Sequence, residues 1–309
     1  MALLLKAGRE PADRWVKAFA DLMPELEVRV WPDCGKREDI QFTLCSRLPE
    51  GEYAALPNLK FIASMSVGLE PILDDPTVPK NIPIIRSVNP QRTATMVEYV
   101  SFHVLRHFRQ DPAYQSQQAA KVWKQLRQPD AADVRVGMLG LGTLGRAAAE
   151  MLRRFRFDVA GWTRTPHNDT GIANFVATEG FKPFLARSDI LVCLLPLTPQ
   201  TENILDAAAF AALPRGAYFI NAARGEHVVD EALLAALDSG HLSGATLDPY
   251  RDEPLPENDP FWSHPKVTVT PHSACQGLAK YGAPDIVENI RRALDGRPLI
   301  NVADRAAGY

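Results

Sequence analysis

Cysteine is scarce in this chain. Its 309 residues include four, Cys34, Cys45, Cys193 and Cys275, with no C-x-x-C pair among them, so their spacing supports neither a zinc knot nor a disulfide framework. Long apolar runs are lacking too: stretches such as Ile190 to Leu195 fall far short of the ~20 residues that cross a bilayer. The opening Met1 to Leu5 is too short for a signal-peptide core and gives way at once to Lys6, Arg9 and Glu10. A cytoplasmic protein with no membrane partner is expected. Basic excess is missing as well. Lys and Arg number 34 against 37 Asp and Glu, a net charge of -3, which over the whole chain disfavours a nucleic-acid partner. Internal repeats and low-complexity segments are also absent, which removes the collagen-like and disordered classes.

The composition that remains is that of a globular protein, 46% hydrophobic and 23% charged, and at ~150 residues per domain the length suggests two domains. Before residue 90, short apolar runs alternate with polar, proline-bearing turns: Leu3 to Leu5, Glu27 to Trp31, Phe42 to Cys45, Lys60 to Met65 and Ile82 to Ile85. Trp15 to Met23 carries apolar residues at helical spacing, so the chain opens strand, helix, strand, the pattern of a parallel sheet. After the Asn89-Pro90 stop a longer helical stretch, Thr93 to Phe108, links this part to the next. A second, more regular alternation starts at Val134: strands at Val134 to Leu139, Val159 to Trp162, Ile190 to Leu195, Tyr218 to Asn221, Gly244 to Leu247 and Val267 to Thr270, with helices at Leu144 to Phe155 and Glu231 to Leu237. Such alternation specifies an α/β fold with doubly wound parallel sheets. One more helix is expected near Asp285 to Leu294.

Gly140-Leu141-Gly142-Thr143-Leu144-Gly145 is a G-x-G-x-x-G placed directly after a strand and before a helix, the context that makes this pattern a dinucleotide fingerprint. Gly140 permits the tight turn, Gly142 admits a pyrophosphate close to backbone, and Gly145 lets helix pack on strand. The N-H groups of the helix start, at Thr143 and Leu144, would face the phosphates. An NAD site would place an acid at the end of the second strand. Here that strand ends Trp162-Thr163-Arg164-Thr165, and Asp158 stands at its opposite end. Arg164 can pair with a ribose 2'-phosphate, with hydroxyls from Thr163 and Thr165, so NADPH/NADP is the preferred cofactor, with NADH/NAD possible. The competing reading is a solvated surface arginine.

Three later strand ends carry reactive side chains: Asn221-Ala222-Ala223-Arg224-Gly225, Asp252-Glu253-Pro254-Leu255-Pro256 and Thr270-Pro271-His272. Reducing a 2-oxo acid needs a cation for the carboxylate and carbonyl, a proton donor at the carbonyl oxygen, and a hydride source. Arg224, His272 and NADPH match these needs, and Glu253 would orient the imidazole and favour its protonated form. His103 and His107, four apart on a helix, are read as packing or surface residues because no Glu follows His103, and no metal site is expected.

These segments, with Val229-Asp230-Glu231-Ala232-Leu233, Ala235 to Gly240 and Leu247-Asp248-Pro249-Tyr250, resemble the D-2-hydroxyacid dehydrogenase family across nearly the whole chain. The Trp-Thr-Arg-Thr segment, Leu194 to Thr198 and the ending Asp304 to Tyr309 look most like its NADPH-dependent glyoxylate/hydroxypyruvate reductase A branch. The resemblance implies a Rossmann-type coenzyme domain, 99-276, inserted into a flavodoxin-like substrate domain, 1-98 and 277-309, with a cleft between them. It also implies Arg224 as the substrate-binding and carbonyl-polarising residue, His272 as general acid and Glu253 as its partner. Asp248 would meet the nicotinamide carboxamide, and Trp162, Leu195, Pro196, Thr201, Ala222 and Ala223 would lie along the cofactor with Arg224 and His272. Family behaviour and the apolar linking helix suggest a homodimer.

Met65 to Glu70 matches the family's substrate-carboxylate loop, whose backbone N-H groups here would be those of Val67 and Gly68. Ser66 replaces the loop's first glycine, and Leu69-Glu70 replace Val-Asp. Cys45 stands where the reductase A branch tends to put a tryptophan, and the smaller side chain is expected to widen the pocket for substrates bulkier than glyoxylate. Two other readings compete. One is a non-catalytic NADP(H)-sensing interaction protein on the same fold, which would not need an acid aimed at substrate. The other is a different family dehydrogenase, such as a phosphoglycerate dehydrogenase, and the chain ends too soon for the usual regulatory domain.

Overall fold

A computed structural model describes residues 1–166 and 171–308; Tyr309, part of the closing segment singled out above, lies outside them. The chain divides into two units, Met1–Arg92 with Gln276–Tyr309, and Thr93–Cys275. Both breaks fall N-terminal of the expected boundaries, 98/99 and 276/277.

In the first unit, apolar β-branched and Leu-rich runs form five strands, β1 Ala2–Lys6, β2 Glu27–Val30, β3 Ile40–Cys45, β4 Phe61–Ser64 and β5 Ile84–Ile85. All pair in parallel in the order β2-β1-β3-β4-β5, the flavodoxin-like arrangement. Alternate residues serve opposite faces, as a strand period of two requires. Leu3, Leu5, Phe42, Leu44 and Phe61 pack under α1 (Ala12–Leu22) through Trp15 and Phe19. Leu4, Cys45 and Ile62 pack on the other face with Leu48, Tyr53, Leu69 and Ile72, the last on the short α2 (Glu70–Leu73). The C-terminal tail covers the β5 edge: Arg86 N donates to Asn301 O at 2.8 Å, and Ala303 N donates to Ile84 O at 2.8 Å.

The second unit contains most of α3 (Pro90–Phe108), then α4 (Asp111–Ala119), β6 (Arg135–Leu139), α5 (Thr143–Arg154), β7 (Asp158–Thr163), β8 (Ala173–Val176) and α6 (Ala177–Ala186). There follow β9 (Ile190–Cys193), α7 (Ala207–Ala212), β10 (Ala217–Asn221), α8 (Asp230–Asp238), β11 (Leu242–Leu247) and β12 (Val267–Val269). Its seven strands are parallel in the order β12-β11-β10-β9-β6-β7-β8, a Rossmann arrangement whose order reverses between β6 and β9. One face carries α6, α7 and α8 through Phe184, Phe210, Leu233 and Leu237; the other carries α3 and α5 through Val100, Val104, Ala148 and Leu152. Burying each such side chain contributes roughly 1.5–3 kcal/mol before entropy is counted.

The last helix, α9 (Ala279–Leu294), belongs to the first unit and starts before the expected Asp285, running through Pro284. Proline forfeits one backbone bond, yet Ala279, Ala283, Ile286, Val287 and Ile290 keep one buried face. At Gly282 an added Cβ would lie 2.7 Å from the Trp15 ring, so the glycine permits that close packing. Of the elements the sequence reading did not find, α2, β8 and α7 are short, α4 buries no residue, and α6 carries Pro183 inside it.

His103 and His107 on α3 pack as expected. The His107 ring stacks on Tyr218 with centroids 4.0 Å apart, and burial pushes both imidazoles down to about 4. Between pH 4 and 6.5 the unfolded chain therefore binds up to two protons that the folded chain does not, so stability falls as pH drops through that window. Asp230, raised by burial to about 6, opposes this by one proton, holding its proton in the fold below pH 6. The expected slope is at most about 1.4 kcal/mol per pH unit for each net proton. Chemical denaturation at pH 6.5 and 4.5 checks it: His107→Phe, which keeps the ring stack, should flatten the acid side.

Candidate active site

Five cross-strand pairs align the carboxyl ends of six neighbouring strands. Trp162 pairs with Leu139, Leu139 with Cys193, Cys193 with Asn221, Asn221 with Leu247, and Leu247 with Val269. At ~4.8 Å per strand this row spans about 24 Å. Gly140, Arg164, Leu195, Arg224, Asp248 and His272 all follow within three residues of it, at the end of the sheet where open α/β folds bind ligands. Parallel pairing therefore gathers residues that are far apart in sequence.

Gly140 adopts φ +95, and an added Cβ would lie 2.9 Å from Leu194 O. Gly145 is stricter, since its Cβ would stand 2.0 Å from Gly140 O. At Gly142 a Cβ would meet nothing within 4 Å, and no side chain caps α5, whose first residue Thr143 is exposed and whose second, Leu144, is half-buried. A side chain at Gly142 would fill the space over the helix start, where backbone N-H groups and the helix dipole favour an anion.

At the end of β7 Arg164 is exposed, and no acid stands between Trp162 and Pro166. Thr163 is 6% exposed, and its hydroxyl donates to Thr165 O at 2.7 Å. It therefore shapes the turn that carries Arg164, and only Thr165 of the two expected hydroxyls is exposed. Trp162 Nε1 donates to Ala177 O at 2.8 Å and its ring packs 5.0 Å from Phe181, so its side chain serves the core.

Leu195 is buried in the loop after β9. Thr201 Oγ1 donates to Pro196 O at 2.8 Å and accepts from Thr198 N at 2.9 Å, so this hydroxyl closes the loop instead of facing outward. His227, which the sequence reading passed over, is fully buried; its Nδ1 lies 3.2 Å from Arg224 N and its Nε2 3.3 Å from Pro196 O. It joins this loop to the turn bearing Arg224. Its position three residues beyond Arg224 was the available signal.

Asn221 Nδ2 donates to Arg224 O at 2.8 Å, and Asn221 Oδ1 accepts from Ala223 N at 3.1 Å. Ala222 and Ala223 are buried, and the Arg224 guanidinium donates to Ala223 O at 2.6 Å. Gly225 is required here because a Cβ would stand 2.1 Å from Arg251 N.

His272 Nδ1 lies 2.9 Å from both carboxylate oxygens of Glu253, whose Oε1 also accepts from Tyr250 N at 3.0 Å. This arrangement directs the Nδ1 proton to the carboxylate and leaves Nε2 as the working nitrogen. His272 has φ +50, a left-handed conformation costing about 1 kcal/mol or more. Asp248 holds it there. The Asp248 main-chain oxygen accepts from His272 N at 2.8 Å. Its buried carboxylate accepts from Ser273 N at 2.7 Å, Ala274 N at 2.9 Å and Thr270 Oγ1 at 2.7 Å. Asp248 is expected against a nicotinamide carboxamide; its buried carboxylate also anchors the histidine loop, because burial obliges a carboxylate to find donors.

In the first unit Val67 and Gly68 are half-buried within a loop braced by Ser64 Oγ, which accepts from Ser66 N at 3.0 Å. The Arg92 guanidinium donates to Met65 O in the same loop. Cys45 departs from expectation: it is 0% exposed, and its Sγ lies 3.1 Å from Tyr53 Oη inside the apolar cluster. A side chain sealed into the core cannot widen a pocket.

Two parallel sheets, one with a glycine turn opening onto an uncapped helix start at its switch point, define a dinucleotide-binding α/β protein. The family model for D-isomer specific 2-hydroxyacid dehydrogenase, NAD binding domain, matches residues 101–274. Glyoxylate/hydroxypyruvate reductase A of Yersinia enterocolitica is 36% identical over 303 residues, 96% of each chain. The structure of a D-isomer specific 2-hydroxyacid dehydrogenase from Xanthobacter autotrophicus Py2, in complex with NADPH and MES, is 40% identical with a TM-score of 0.95, covering 100% of this chain and 99% of that one. The NADPH-dependent glyoxylate/hydroxypyruvate reductase of Sinorhizobium meliloti, in complex with NADP and sulfate, is 35% identical with a TM-score of 0.94 over the same shares. The chain belongs to the D-isomer specific 2-hydroxyacid dehydrogenase family.

Proposed function

We propose that this protein is an NADPH-dependent reductase that converts a small 2-oxo acid to the 2-hydroxy acid. The observation that carries the reading is the His272–Glu253 pair, 2.9 Å apart, on the same row of strand ends as the glycine turn and Arg224. NADPH, when bound, supplies the hydride. Thr143 and Leu144 N-H groups hold its pyrophosphate, and Arg164 with Thr165 holds the 2'-phosphate. Arg224 binds the substrate carboxylate and meets the negative charge that develops on the carbonyl oxygen. His272 gives that oxygen its proton from Nε2, while Glu253 stabilises the imidazolium until it does. The backbone N-H groups of Val67 and Gly68 are proposed to contribute to carboxylate binding.

We also propose a cytoplasmic homodimer. The four cysteines are free, among the described residues no helix is long and apolar enough to cross a membrane, and Phe102 and Trp123, 60% and 103% exposed, are the apolar side chains offered for the dimer contact.

A spectrophotometric screen of glyoxylate, hydroxypyruvate, pyruvate and phenyl-bearing 2-oxo acids with each coenzyme tests the reading, on protein whose mass is read by light scattering. Coenzyme oxidation with the small acids and a dimer mass are expected. Arg164→Ala should raise KM for NADPH by about tenfold or more, the size of a lost charge-assisted bond, and barely move KM for NADH. Equal effects on the two coenzymes would refute the role of Arg164, and no turnover with any of the acids would refute the reductase.

A further inference from the structure

The geometry points to Tyr99, on α3, as a positioning residue for His272, acting through Thr270 and Asp248. The inference rests on His272 being the proton donor. His272 follows β12, a three-residue strand paired to β11 at the edge of the sheet. Such an edge is held weakly by its own ladder. α3 fastens it at two points on one face: Arg106 Nη1 donates to Thr268 Oγ1 at 2.8 Å, and Tyr99 Oη lies 2.8 Å from Thr270 Oγ1.

The direction of the second bond follows from counting protons. Thr270 has one hydroxyl hydrogen, and an ionised Asp248 can only accept, so Thr270 donates to Asp248 Oδ1 at 2.7 Å. Tyr99 must then donate to Thr270. Burial, with the charge on Asp248 adding to it, holds the Tyr99 phenol above its usual range and keeps it a donor. The result is a chain of bonds from Tyr99 to Thr270 to Asp248, ending on the carboxylate that grips Ser273 N and Ala274 N beyond His272. The same aspartate's main-chain oxygen accepts from His272 N. A phenol donating to Thr270 makes the threonine hydroxyl a stronger donor to Asp248, so it fixes the orientation of the carboxylate that keeps His272 in its left-handed conformation with Nδ1 on Glu253.

Tyr99→Phe removes that hydroxyl and leaves the ring, which contacts His103 with centroids 4.3 Å apart. Expected is a fall in kcat of about five- to tenfold, the size of one net hydrogen bond, with KM for NADPH unchanged within twofold. In a Thr270→Val background the same change should cost less than twofold, because the chain is already cut. Long-range proton–nitrogen spectra of the imidazoles without coenzyme should show the His272 Nδ1 proton exchanging faster in Tyr99→Phe; His272→Gln assigns the signal. An unchanged kcat, losses that multiply in the double variant, or an unchanged His272 signal alongside a lowered kcat each overturn the proposal. Failure of the underlying reading looks different: His272→Gln would then itself retain kcat.

Discussion

Replacing His272 by Gln should lower kcat for 2-oxo acid reduction by about 10²- to 10⁴-fold, the range that a positioned general acid contributes. Gln keeps a polar group near Glu253 but has no proton to give at neutral pH, so the loss falls on the chemical step. Coenzyme affinity, read by the quenching of NADPH fluorescence, should hold, because the α5 start lies on other strands. Glu253→Gln is the milder partner: the imidazole keeps a hydrogen-bond acceptor at Nδ1 and loses the negative charge that stabilises its cation. Its kcat should fall about tenfold. A His272→Gln enzyme with parental kcat would remove this residue from the reaction.

Arg224→Met should cost about 10²- to 10³-fold in kcat, the loss seen when one group facing a developing oxyanion is removed, and should raise KM for the 2-oxo acid by about tenfold or more through the lost carboxylate pair. Arg224→Lys tests geometry separately from charge. A lysine keeps the cation but not the fork that faces two oxygens at once, so it should recover binding more than turnover. Steady-state kinetics on both variants decide the matter. A rise in KM alone would leave Arg224 a binding residue with no part in stabilising the transition state.

The α/β class and the coenzyme turn were legible because each rests on local rules. A strand followed by G-x-G-x-x-G and a helix can be read from thirteen residues, and Gly140 and Gly145 have steric reasons that show up in any structure built on them. His272 and Glu253 were legible as chemistry, although 19 positions separate them, because the motifs around them are distinctive. The roles of neighbouring polar groups were not. Thr163 and Thr201 carry side chains that suit a ligand equally well in sequence, and each turned inward because a buried oxygen must find a donor or acceptor close by. Cys45 was misread for a related reason: strand alternation says that a residue faces one side of the sheet, not which side is the core.

What the linear order of residues established here was the class of fold, the glycine turn and the three reactive side chains, since these depend on periodicity and on chemistry carried by short segments. Folding in three dimensions added the shared row of strand ends, the aspartate that clamps the histidine loop, and the tyrosine on α3 that reaches it from 171 positions away. Long-range hydrogen bonds such as these depend on strand order and on the direction each side chain takes from its backbone, and neither is written in the spacing of the residues that make them.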